Sequence, residues 1–123
     1  MSNTRNKADV EYAVMLAVLN FQNEFMQSHY SHAQVQLLEH VIEVELTRTS
    51  PIPAEARLAQ APEGCGQLRQ MHQALFNTGH DMLKKRIEEI LGGQIYNIVT
   101  DLEPLSGRST IVIQIDQAID SSV

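Results

Sequence analysis

GQLRQMHQALFNTGHDMLKKRIEEIL, residues 66–91, is the stretch that decides the architecture. Leu68, Met71, Leu75, Met82, Ile87 and Ile90 recur at steps of three, four, five or seven, which draws an apolar stripe down one side of a helix. Gln67, Arg69, Gln70, Gln73, Lys84, Lys85 and Glu88 fall mostly elsewhere and stay solvated. Gly92-Gly93 supplies the stop, because glycine accepts the left-handed geometry that ends helices. Lys84, Lys85 and Arg86 lie near that end, where cations complement the helix dipole. Asn77-Thr78-Gly79 interrupts the pattern, with Gly79 costing about 1 kcal/mol against alanine. That run predicts a bend or a close helix contact rather than a break.

Upstream, a second helix is predicted from residues 4–8 to about residue 27. Val10, Val14, Ala17, Phe21 and Phe25 form one apolar stripe at helical spacing, and Tyr12, Met15, Leu16, Leu19 and Met26 form another beside it. A surface helix in a small domain needs only one such stripe. The second implies either a central helix within the monomer or packing against a partner chain. Ala33, Val35 and Leu37 then alternate with glutamines, and Ile42, Val44 and Leu46 alternate with Glu43 and Glu45. These read as an antiparallel hairpin turning at Glu39-His40. Pro53 opens a short helix to about Gln60, and residues 62–66 read as a loop.

Downstream of the glycines, residues 95–100 and 110–116 read as two more strands joined by a turn over residues 103–108. In the first, Tyr96, Ile98 and Thr100 share one face, and Ile95, Asn97 and Val99 the other. In the second, Ile111, Ile113 and Ile115 share a face. The order is helix, hairpin, short helix, long helix, hairpin. It predicts an α+β two-layer sandwich, an antiparallel sheet with helices on one face. Residues 1–7 read as a polar lead-in, 8–116 as one domain and 117–123 as a tail.

The composition narrows the function. The chain has 123 residues and a formal net charge of −6, with 43% hydrophobic and 20% charged residues and no Trp. Splitting it after Pro62 gives 4 basic and 7 acidic residues, then 5 basic and 8 acidic, so each half is −3 and no basic domain is hidden. That argues against general nucleic-acid binding and against docking on an anionic membrane surface. One cysteine, Cys65, rules out an intrachain disulfide or a cysteine-cluster metal site. The first ten residues lack the apolar core of a signal peptide, and the apolar run 13–19 is too short to span a bilayer. A soluble, cytoplasmic protein is expected.

Phe25, the hairpin over residues 37–46, Pro53-Ala54-Glu55 and above all the block from Met82 to Ile95, with Gly92-Gly93 inside it and a following strand that ends in Asp101, resemble the MpsC-like family. This is a small bacterial domain of unknown function, named for a sodium-translocating, membrane-potential-generating system. The resemblance runs from about Ala13 to Asp116. The family's threonine cap of the short helix is replaced here near Ile52, and its glycine-containing turn after the first helix by Ser28-His29-Tyr30-Ser31. The resemblance implies the fold and a link to a membrane system. It carries no catalytic residues.

Individual candidates are weak. His72 and His80 lie about 12 Å apart along the helix, too far for one ion, and no i, i+4 histidine pair exists. His29 and His32 flank a turn. Cys65 precedes a helix without an identifiable base. Glu43 and Glu45, with Glu39 nearby, read as a solvated strand face, and Lys84, Lys85 and Arg86 as a helix end paired with Glu88 and Glu89. No phosphate loop, dinucleotide fingerprint or hydrolase elbow occurs.

The expected function is therefore a non-catalytic, cofactor-free and metal-free adaptor or assembly factor. It self-associates through Tyr12, Met15, Leu16, Leu19 and Met26 as a homodimer, and binds another protein through a sheet edge, such as the strand 110–116, or a helix groove. Such an adaptor serves a membrane ion or inorganic-carbon uptake system from the water side, without inserting into the membrane. The alternatives are a small-ligand sensor with a pocket between sheet and helices, and an enzyme built around Cys65 and the histidines.

Overall fold

A computed structural model describes residues 6–115. Most of the lead-in, Asp116 and the tail over 117–123 lie outside the described residues. The elements follow in the expected α+β order: α1 (Lys7–Glu24), β1 (His32–Leu37), β2 (Val41–Thr47), α2 (Pro53–Leu58), α3 (Pro62–Leu91), β3 (Ile95–Glu103) and β4 (Arg108–Ile115).

Local chemistry explains the ends of α1. The Asn6 side chain accepts from the Asp9 N–H at 2.8 Å, an N-cap that satisfies one of the orphan amides of the first turn. At the other end Gln27 adopts φ 57°, and the Ser28 N–H donates to the Gln22 carbonyl at 2.8 Å. This is the left-handed closure that glycine usually makes, imposed here on a residue with a Cβ. Gln27→Gly is therefore expected to raise stability by up to about 1 kcal/mol in urea unfolding. No gain would mean that the Gln27 side-chain bond to the Glu24 carbonyl, at 3.1 Å, outweighs the relieved strain.

α3 starts earlier than its periodicity implies. Pro62 occupies its first turn, so residues 62–66, expected as loop, are helical. Gly64 marks a packing contact rather than a turn: a Cβ there would lie 1.9 Å from the Leu58 carbonyl oxygen at the end of α2. The buried face of α3 is also rotated from the expected stripe. It consists of Leu68, His72, Phe76, Gly79, Leu83 and Ile87, while Met71, Leu75 and Met82 are 57%, 38% and 49% exposed. A histidine and a glycine on the true face hide it from a count of apolar residues. α3 closes as expected at Gly92, with φ 72°.

The four strands form one antiparallel sheet in the order β1-β2-β4-β3. β4 is thus paired on both sides, which corrects the expectation that residues 110–116 offer an edge. The edges are β1 and β3, and helical side chains hold a backbone group near an end of each. Glu11 accepts from the Leu37 N–H at 3.0 Å, Glu88 accepts from the Ile95 N–H at 2.8 Å, and Arg69 donates to the Leu102 carbonyl at 3.0 Å. The β3 register slips between Ile95 and Asn97, so Tyr96 bulges out and Ile95 turns into the core, opposite to its expected face. Both helices lie over one sheet face, α1 against β1 and α3 against β3. Between the layers lie Ile42, Val44, Leu46, Ile111 and Ile113 from the sheet, with Val14, Val18, Phe76 and Ile87 from the helices.

Candidate functional site

The outward side of α1 is the most unusual surface of the molecule. Tyr12 is 59% and Leu16 41% exposed, with Met15 and Leu19 half-buried beside them. Residues 12–23 include no Asp, Glu, Lys or Arg. The nearest acid, Glu11, is spent on the Leu37 N–H. A helix turned to water ordinarily carries charge on that face, and one that is apolar or neutral all round is ordinarily covered. Four of the five residues expected in self-association therefore share this face. Met26 does not: it is 5% exposed and packed in the core. α1 has ended and the chain turns at Gln27, so the helical projection that set Met26 beside Leu19 stops short of it.

A second cluster lies where α3 crosses the β3–β4 hairpin. His72 Nε2 lies 3.0 Å from Thr100 Oγ1 and 3.4 Å from Ser109 Oγ. The Thr100 hydroxyl donates to the Thr110 carbonyl, and the Ser109 hydroxyl donates to the Asp101 carbonyl, each at 3.0 Å. Both hydroxyl protons are thus committed, so Nε2 carries the proton and donates to Thr100. Neither hydroxyl is poised as a nucleophile. The cluster reads as a polar clasp between α3 and the hairpin.

Burial lowers the pKa of His72 from 6.5, against the opposing pull of Asp101, and Arg48 lowers it further. The folded state therefore holds His72 neutral, while the unfolded chain protonates it near its ordinary value. Its contribution to stability is present above pH 6.5 and is lost as the pH falls below it. Urea unfolding at pH 7.5 and 5.5 should show a smaller acid loss for His72→Gln than for the parent. Equal losses would remove His72 as the cause.

The other candidates are dispersed. The Cys65 thiol donates to the Ala59 carbonyl at 3.0 Å and packs with Leu68 and Leu102. His29 gives its carbonyl to Arg48, and His80 sits 3.5 Å from Asp81 on an exposed turn of α3. Among the described residues no group of three or more His, Cys, Asp and Glu side chains is arranged to hold a metal. Glu88 faces β3 rather than Lys84, which corrects the expected pairing at that helix end. Sequence reasoning missed Arg48, which spans three loops. It donates to the His29 carbonyl at 2.8 Å, the Ser28 hydroxyl at 2.6 Å and the Gly107 carbonyl at 3.4 Å, and stacks on Tyr30. A lone arginine in the connection from β2 to α2 gives no periodic signal.

The block that runs from α3 through Gly92 into β3 is formed as the family pattern implies. A family model described as Na+-translocating membrane potential-generating system (MpsC) matches residues 6–117. The chain belongs to the MpsC family. No curated protein and no solved structure matches it. The MpsC description names a membrane system, and no described helix of this MpsC chain is long and apolar enough to cross a membrane.

Proposed function

We propose that this MpsC chain is a non-catalytic adaptor that works as a homodimer and serves a sodium-translocating membrane system from the water side. The observation that carries the reading is the uncharged outward face of α1, with Tyr12 and Leu16 exposed and no charged residue from 12 to 23. A second copy suits that face, because two neutral apolar faces meet without electrostatic cost and a two-fold axis makes the same patch serve both subunits. The helix layer adds to the area. On α3, Met71, Leu75 and Met82 are 57%, 38% and 49% exposed.

Leu16→Glu is the test. A carboxylate on each of two facing helices is expected to convert dimer to monomer in light scattering at micromolar concentration, with the unfolding curve of the monomer intact. An unchanged oligomer, or a parent that is itself monomeric throughout, overturns the reading. The link to the membrane system is tested separately, by co-purification of tagged protein with sodium-translocating subunits from its own cells.

A further inference from the structure

The sheet has a second face that nothing in the described chain covers. Its register places Gln36, Glu43, Val112 and Val99 in one row across β1, β2, β4 and β3, and Gln34, Glu45, Thr110 and Asp101 in the next. A shallow groove crosses it, lined by Gln34, Gln36, Glu43, Glu45, Thr110 and Val112. Glu43 is exposed and, among the described residues, has no ion-pair partner; Glu45 pairs with Arg108 at 3.5 Å. Val99 is 46% exposed beside the half-buried Val112.

We infer that this face is a docking surface for a basic amphipathic helix of a partner protein. Charge selects the occupant. The face carries Glu43, Glu45, Asp101 and Glu103 against Arg108, with Arg69 reaching Asp101 from α3 at 3.9 Å, so acid predominates; a second copy brings the same excess and is repelled, and nucleic acids and anionic lipids carry the same sign. Basic side chains are attracted. Docking is placed on the face because the unpaired Glu43 and the apolar Val99 and Val112 lie there, while Glu11, Glu88 and Arg69 already hold backbone groups at the ends of the edge strands. Spacing favours a helix. Glu43 and Glu45 stand two residues apart on one strand face, about 6.8 Å. Lysines at i and i+4 stand about 6 Å apart along a helix axis, so a helix lying along β2 presents one to each carboxylate. Its apolar side then meets Val112 and Val99. The inference does not depend on α1 pairing two copies, and gives the proposed adaptor its second, chemically different surface.

The experiment is backbone-amide NMR mapping with a synthetic 14-residue helix of leucine and lysine, and with its leucine–glutamate counterpart. The lysine peptide is expected to shift amides of β2, β4 and β3, and to lose about tenfold in affinity with Glu43→Gln/Glu45→Gln. The control Glu63→Gln/Glu89→Gln removes the same charge from α3 and is expected to leave affinity unchanged. Leu16→Glu should bind as the parent does, which keeps this test separate from that of the dimer. Shifts confined to the helices, equal losses in both double variants, absence of binding, or equal binding of the glutamate peptide each overturn the inference.

Discussion

Phe76→Ala is expected to destabilise the protein by about 3–5 kcal/mol, a large share of the stability of a domain of this size. The ring is 1% exposed and sits at the junction of α1 and α3. It meets Phe21 edge-on at 5.8 Å and stacks on His80 at 6.0 Å, while Phe21 stacks on Phe25 at 5.3 Å. All three phenylalanines of the chain are thus in one cluster, in a core that is otherwise aliphatic. Gly79 completes the junction. A Cβ there would lie 2.4 Å from the Phe25 ring, so the absent side chain is what lets α1 close on α3. Removing Phe76 leaves a cavity that the rigid sheet on the other side does not collapse into, and the cavity adds to the lost burial. Urea unfolding followed by circular dichroism measures the effect. Phe76→Leu, which keeps most of the volume, should lose much less. A loss below about 1 kcal/mol for Phe76→Ala would show that the two helices are not held together through this ring.

Much of this architecture is legible in the residues, and the misreadings have physical causes. Strands β1, β2 and β4 are half-buried, so strict alternation reports them. Helix α3 was legible in extent at its glycine end but not in rotation, because its buried face includes His72 and Gly79 while apolar Met71 and Met82 flank it. The strand order was not legible. Nothing local in residues 110–115 tells that β2 and β3 both pair with them, so a central strand reads as an edge. The bulge at Tyr96 depends on the same long-range pairing. For the candidate surfaces, the second stripe of α1 is readable because the helical spacing of Tyr12, Met15, Leu16 and Leu19 is a property of sequence alone. In the residues alone the open sheet face is only a solvated pair of glutamates, Glu43 and Glu45. Its significance lies in which strands stand beside β2, and in both helices choosing the opposite face.

Gln22→Met is expected to stabilise the protein by about 1–3 kcal/mol, a gain from a substitution in a fully buried site, where most changes are harmful. Gln22 is 1% exposed on the core side of α1, yet neither Oε1 nor Nε2 has a hydrogen-bond partner among the described residues. Its main chain is well used, with the carbonyl accepting from Ser28 in the turn that ends α1. The side chain alone is unsatisfied, and each buried unpaired polar atom forfeits the water it had in the unfolded chain. Methionine has nearly the same length and volume, makes no polar demand and fills irregular space, so the substitution removes the penalty without opening a cavity. The oligomer should not change, because Gln22 lies on the core side of α1, away from Tyr12 and Leu16. A loss of stability would mean that an internal water satisfies the amide in solution. A gain with unchanged assembly would separate the two sides of α1: the core side sets stability, and the neutral outward side is left to determine what the helix binds.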